Sequence, residues 1–102
     1  MNKISESQKK KNAAISKIKA KLIEESDFTC RICSGHGNQA AHLLPKGEFP
    51  QYYTEPRNIV ILCFSCHYKY DNEILFRKQQ ETLKSQCFEF AFECDVNKYF
   101  NL

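Results

Sequence analysis

The sequence predicts a small α+β domain stapled by a zinc ion, and three observations carry that expectation. Two Cys-x-x-Cys pairs, Cys30/Cys33 and Cys63/Cys66, stand with 29 residues between them. Long stretches free of Gly and Pro near both ends of the chain read as helices. Between them the β-branched run Ile59-Val60-Ile61-Leu62 reads as a strand that delivers the third cysteine.

A chain of 102 residues has room for one domain, and a domain of this size buries only about two-thirds of its unfolded surface. A structural metal is the usual remedy for so thin a core, because site formation is coupled to folding. The single domain, 1–102, divides into an N-terminal basic helix (1–26), a zinc-bound core (27–72) and a mainly helical C-terminal extension (73–102). Six cysteines also admit a disulfide framework, but that reading needs an oxidising compartment and a secretory signal. The first dozen residues are instead polar and lysine-rich, and no apolar run approaches transmembrane length. The expectation is a soluble cytoplasmic protein with no membrane partner.

The formal charge of +3 is too small to demand a polyanionic partner, but its distribution is informative. Residues 1–25 hold seven lysines against three acids, Glu6, Glu24 and Glu25. Lys9, Lys10, Lys11 and Lys17 are candidates for phosphate contact on this basic head, against the plainer reading of a solvated helix face.

Taken in order, Ser5 to Glu25 shows Ile15, Ile18 and Leu22 at three- and four-residue steps, the mark of an amphipathic helix. Ser26-Asp27 ends it, and the short polar stretch to Gly37 suits a metal knuckle. Gln39 to Leu44 is a strand candidate closed by Pro45 and Gly47, and a loop with Pro50 and Pro56 leads to the second strand. A helix is expected from about Cys66 through the Glu81–Lys84 region. Beyond it, Phe88, Phe90 and Phe92 alternate as in a strand, whereas Leu83, Cys87, Phe90 and Cys94 fit a helical stripe. Helix is favoured, with the aromatics, Cys87 and Cys94 assigned to the core.

Two-residue spacing lets both thiolates of a pair reach one ion, and two pairs complete the closed tetrahedral shell of a structural zinc. A thioredoxin-like redox role would need a strand-then-helix context that neither pair has. With four sulfur ligands no position remains for water, so this ion is expected to be structural.

Between and beside the knuckles lie Ala41-His42-Leu43-Leu44-Pro45, Asn58 five residues before Cys63, and Cys66-His67. In these residues the chain resembles the HNH, or ββα-metal, endonucleases. Their signature is a His on the first strand followed by an apolar pair and Pro, an Asn five residues before the third zinc cysteine, and a His or Asn after the fourth. The likeness is greatest to phage recombination nucleases of the NinG or Rap type, through Lys46-Gly47, Pro50, Tyr52-Tyr53 and Asn58, and it covers roughly residues 28–72.

The resemblance implies a ββα-metal core, a metal-dependent hydrolysis of DNA phosphodiesters, and branched or recombination DNA as substrate. It also implies that His42 is the general base and that His67 ligates a catalytic magnesium or manganese ion. Asn58 would hold the intervening loop, or the His42 imidazole, by hydrogen bonds. Imidazole suits the base because its ordinary pKa lies near neutrality. Many relatives carry an Asp directly before the catalytic His, where this chain has Ala41, and Asp71, one helical turn after His67, is the local substitute. Lys46, Arg57 and Lys69 are further candidates for phosphate contact, as are Arg77, Lys78 and Lys84, each against the reading of a solvated charge. His36 reads as a hydrogen-bonded surface or core residue, or as a spare zinc neighbour. The rival function is a zinc-stapled DNA-binding module that has lost its chemistry, and a third is a protein-interaction domain. A homodimer is allowed by everything above and required by none of it.

Overall fold

A computed structural model describes the backbone of residues 6–101 and the side chains of residues 9–100. It is an α+β structure in which two short antiparallel strands are enclosed by five helices. Helix α1 (Glu6–Ser26) runs for 21 residues, so the expected N-terminal helix is present, while its expected start at Ser5 lies outside the described residues. Asp27 and Phe28 end it in the left-handed region, at φ 52° and 56°, a conformation that turns the chain out of a helix. Among the described residues no helix is long and apolar enough to cross a membrane.

Strands β1 (Gln39–His42) and β2 (Ile59–Leu62) pair with Gln39 opposite Leu62 and His42 opposite Ile59. Sixteen residues connect them, folded into 3₁₀ turns at Pro50–Tyr52 and Pro56–Asn58. Asn58, fully buried, holds this connection from inside. Its side-chain oxygen accepts from Leu44 N–H at 2.8 Å, and its amide donates to the Leu44 and Tyr52 carbonyls at 3.0 Å each. One amide thus serves three backbone groups of an irregular loop, two of which have no other partner, while Tyr52 C=O also accepts from Glu55 N–H at 3.2 Å.

The helix expected from Cys66 to Lys84 is instead three: α2 (Phe64–Asn72), α3 (Ile74–Lys78) and α4 (Glu81–Cys87). Glu73 breaks the first at φ −119° and ψ 104°, and Arg77 explains why the break is stable. Its guanidinium, 6% exposed, donates to the Tyr70 and Asp71 carbonyls in the last turn of α2 at 3.0 and 3.1 Å. It also donates at 3.3 Å to Tyr99 C=O, in the last turn of α5 (Glu93–Asn101), and lies 3.9 Å from the Tyr99 ring centroid. Two helix C-termini therefore share one cation as the counter-charge to their dipoles. The reading of Arg77 as a solvated charge is corrected accordingly.

Leu43, Leu44, Tyr70, Leu83, Val96 and Phe100 join the buried faces of β1 and β2 in a single core, so the C-terminal extension packs on the zinc-knuckle half. The segment 88–92 between α4 and α5 is neither strand nor helix. Phe90 packs against the core, but Phe88 and Phe92 are exposed, which corrects their assignment to the interior. Cys87 is buried and Cys94 exposed, so only the first belongs to the core; burial pushes the Cys87 thiol up to about 12.

Candidate metal centre and histidine cleft

The four predicted cysteines converge, all of their Sγ atoms lying within 4.8 Å of one another. Cys33 and Cys63 have sulfurs 3.8 Å apart, too far for a disulfide. A tetrahedron with metal–sulfur bonds of about 2.3 Å has an edge of about 3.8 Å, so the spacing fits a zinc ion.

Local structure builds this cluster from both sides. Cys30 is the first residue of a tight hairpin in which Cys30 N–H bonds Gly35 C=O and Ser34, at φ 64°, turns the chain. Gly37 closes the hairpin where a Cβ would lie 3.0 Å from Cys30 Cα and from the Leu62 carbonyl carbon, so a side chain here would press the knuckle and β2 backbones apart. On the other side Cys63 ends β2 and caps α2, its sulfur accepting from Cys66 N–H at 3.3 Å, while Cys33 sulfur accepts from Gly35 N–H at 3.4 Å. Burial opposes ionisation of Cys30, yet hydrogen bonds from the Cys33, Cys63 and Ile32 backbone overcome it and hold the thiol at about 7. Burial, followed by the neighbouring thiols, pushes Cys66 the other way. The cluster can hold a metal ion such as zinc. Among the described residues no other group of three or more His, Cys, Asp or Glu side chains converges in this way.

A separate cleft of about 690 Å³ brings together His42, His67 and Asp71, with Lys46, Glu48 and Arg77 also on its wall. His42 closes β1 and is half-buried. Its Nε2 lies 3.0 Å from Tyr53 C=O, and its ring stacks on the Tyr53 ring at 4.9 Å and 13°. A carbonyl only accepts, so Nε2 carries the proton and Nδ1 keeps its lone pair. Burial is the main cause that draws the His42 pKa below its ordinary 6.5, with His67 adding to it and Tyr53 C=O and Asp71 opposing. The imidazole is therefore neutral at pH 7.

His67 sits in the first turns of α2, directly after the knuckle, with Nε2 3.2 Å from Asp71 Oδ2 and Nδ1 3.3 Å from Gln39 Oε1. Asp71 thus stands at His67 as the spacing suggested. The Asn58 side chain spends its hydrogen bonds on Leu44 and Tyr52 and not on the His42 ring, and Asn58 is not among the residues that line the cleft. It holds the Tyr52 carbonyl, one residue before the carbonyl that holds His42. His36 stacks on Phe28 at 5.5 Å, exposed and outside the cleft.

Of the nominated basic residues, Lys46 reaches the cleft wall, its Nζ 4.7 Å from the Tyr53 ring centroid. Lys9, Lys10 and Lys11 are exposed on α1. Lys17 and Arg57 line a different groove, and Arg57 is tied to Glu55 at 2.7 Å and to Glu89 C=O at 2.8 Å. Lys69 is exposed beside Phe76. Tyr53 was missed as a site residue, although its place in the aromatic pair Tyr52-Tyr53 was visible. Comparison with protein-family models, curated proteins and solved structures gave no match.

Proposed function

We propose that the chain is a metal-dependent endonuclease of the HNH type that hydrolyses DNA phosphodiesters, with a structural zinc ion in the cysteine cluster. The observation that carries this reading is His42 Nε2 held 3.0 Å from the Tyr53 carbonyl at the cleft. A neutral imidazole whose Nε2–H is held by a backbone carbonyl presents Nδ1 as a base, in a cleft it shares with a second histidine and a carboxylate. His42 takes a proton from the attacking water, and Lys46 brings a positive charge to the phosphate. His67 and Asp71 would hold a magnesium or manganese ion, which stabilises the charge developing on phosphate and leaving oxygen. With Ala41 offering no ligand, two protein donors suffice only because such ions keep waters and phosphate oxygens in their shell. The exposed lysines of α1 add sequence-independent affinity for the nucleic-acid backbone, and the phage-type motif favours branched DNA.

The test is cleavage of supercoiled plasmid and four-way-junction DNA with and without added magnesium or manganese. Wild-type protein should cut only with the ion, and His42→Ala should lower cleavage by roughly 10²–10⁴-fold while zinc content and DNA binding persist. The sparse donor set beside Ala41 favours a second reading, a zinc-stapled DNA-binding module without chemistry. Binding without cleavage of any linear, nicked or branched substrate, whatever the divalent ion, would decide for it.

A further inference from the structure

The two-stranded sheet leaves the outer edge of β2 without a partner strand. Leu43 N–H bonds Asn58 C=O, one step beyond the β1–β2 register, so residues 58, 60 and 62 bond toward β1. Residues 59 and 61 therefore turn their backbone groups outward. Two of these groups are taken, since Ile59 N–H donates to Pro56 C=O and Ile61 C=O accepts from Arg31 N–H at 2.9 Å. Ile59 C=O and Ile61 N–H have no partner among the described residues. Ile61 is only 4% exposed, a setting in which an unpaired N–H is costly.

A groove of about 520 Å³ runs along this edge between β2 and α1, lined on its apolar side by Ile18, Leu22, Ile59 and Ile61. Lys17, Lys21, Arg31 and Arg57 charge it, against Glu25 alone. Glu25 pairs with Lys21 at 3.9 Å and Glu55 with Arg57 at 2.7 Å, which leaves the positive excess on Lys17 and Arg31. None of these residues lines the histidine cleft.

We propose that this groove docks an extended acidic segment of a partner protein, which adds to β2 as a third strand. The two unpaired groups flank Val60 as C=O and N–H of residues two apart, and an added strand of either direction takes up both: one residue of a parallel strand gives its N–H to Ile59 C=O and accepts from Ile61 N–H, or the two residues flanking the one opposite Val60 in an antiparallel strand share these bonds. Alternate apolar side chains of the segment fill the groove, and its carboxylates meet the basic rim. A nucleic-acid strand would satisfy the lysines but neither the apolar lining nor the backbone pair. This inference stands independently of the nuclease reading.

The test uses the zinc-loaded, ¹⁵N-labelled chain and a blocked heptapeptide, Asp-Ile-Glu-Val-Asp-Leu-Glu, titrated to about 1 mM, a concentration that registers even weak association. The expected result is a saturable shift largest at the Ile61 amide. Affinity should fall by about tenfold or more, at least 1.4 kcal/mol, when Lys replaces every acid, and likewise when the three central backbone amides of the peptide are N-methylated. Lys17→Glu combined with Arg31→Glu, on the exposed rim, should weaken binding equally with the thermal midpoint unchanged. No shift at Ile61, equal binding of the N-methylated peptide, or a short DNA duplex shifting Ile61 where the peptide does not, would each overturn the proposal.

Discussion

Replacing Asn58 by alanine removes three hydrogen bonds from one buried point. Leu44 N–H and Leu44 C=O lose their only partner, whereas Tyr52 C=O still accepts from Glu55 N–H at 3.2 Å, and an orphaned buried backbone group costs about 1–3 kcal/mol. Taking the lower figure for each of the two orphans, because water can enter the vacated volume, the loss is about 2 kcal/mol, a sizeable share of the roughly 5–15 kcal/mol that stabilises a domain. For a domain near this length, each kcal/mol moves the thermal midpoint by about 4–8 °C, so Asn58→Ala should melt roughly 8–16 °C below wild type. Asn58→Asp sharpens the test. It keeps the acceptor for Leu44 N–H but sets carboxylate lone pairs against two carbonyls, so burial and repulsion raise its folded-state pKa above the unfolded value near 4. A raised folded pKa means stability present at low pH and lost as pH rises through it. The Asp variant should therefore lose ground to the Ala variant between pH 4 and pH 7. The assay is thermal unfolding by circular dichroism at a fixed zinc concentration, since bound metal adds its own stability. A midpoint for Asn58→Ala within about 2 °C of wild type would refute the reasoning.

Three other outcomes are expected. Cys33→Ser should abolish stoichiometric zinc and unfold the chain, whereas Cys94→Ser, also at an exposed cysteine but outside the cluster, should change neither metal content nor melting; metal analysis of both separates the two. Cleavage, if His42 is its base, should have an acid limb below pH 6.5, because burial lowers the pKa of that imidazole; a limb above 6.5 in the rate–pH profile would assign the base elsewhere. Arg77→Met should cost more than about 3 kcal/mol in urea unfolding, because charged donors to three carbonyls are lost, and Arg77→Lys should recover only part of that, since an ammonium cannot reproduce the planar fork.

What was legible in the sequence was what local rules decide. Cys30, Cys33, Cys63 and Cys66 declared themselves by spacing, Ile59–Leu62 by β-branching, and α1 by its apolar stripe. The division of the C-terminal half was hidden because its cause is tertiary. Nothing between Asn72 and Lys84 forbids one helix; the break at Glu73 is held by a guanidinium that collects carbonyls from two separate helices. Cys94 fitted a stripe with Cys87 only if residues 83–94 formed one helix, and the turn at 88–92 puts the two thiols in different environments. His42 and His67 were visible as a pair because His67 directly follows Cys66 and His42 stands between the two knuckles before an apolar pair and Pro45, the positions that carry the resemblance to HNH nucleases. The partner that sets the chemistry of His42 is a main-chain oxygen eleven residues away, and main-chain atoms leave no mark in a pattern of side chains.

That oxygen has a consequence for how the site can vary. Tyr53 holds the imidazole twice, by its ring and by its carbonyl, and substitution can remove only the ring. A change at Tyr53 loosens the stack, the seat of Lys46 and the 3.4 Å reach of its hydroxyl to Asn12 on α1, while the bond that selects the proton-bearing nitrogen of His42 stays encoded in the path of the chain. Mutation can tune this histidine's surroundings from one side, and only refolding of the loop can change which of its nitrogens faces the carbonyl.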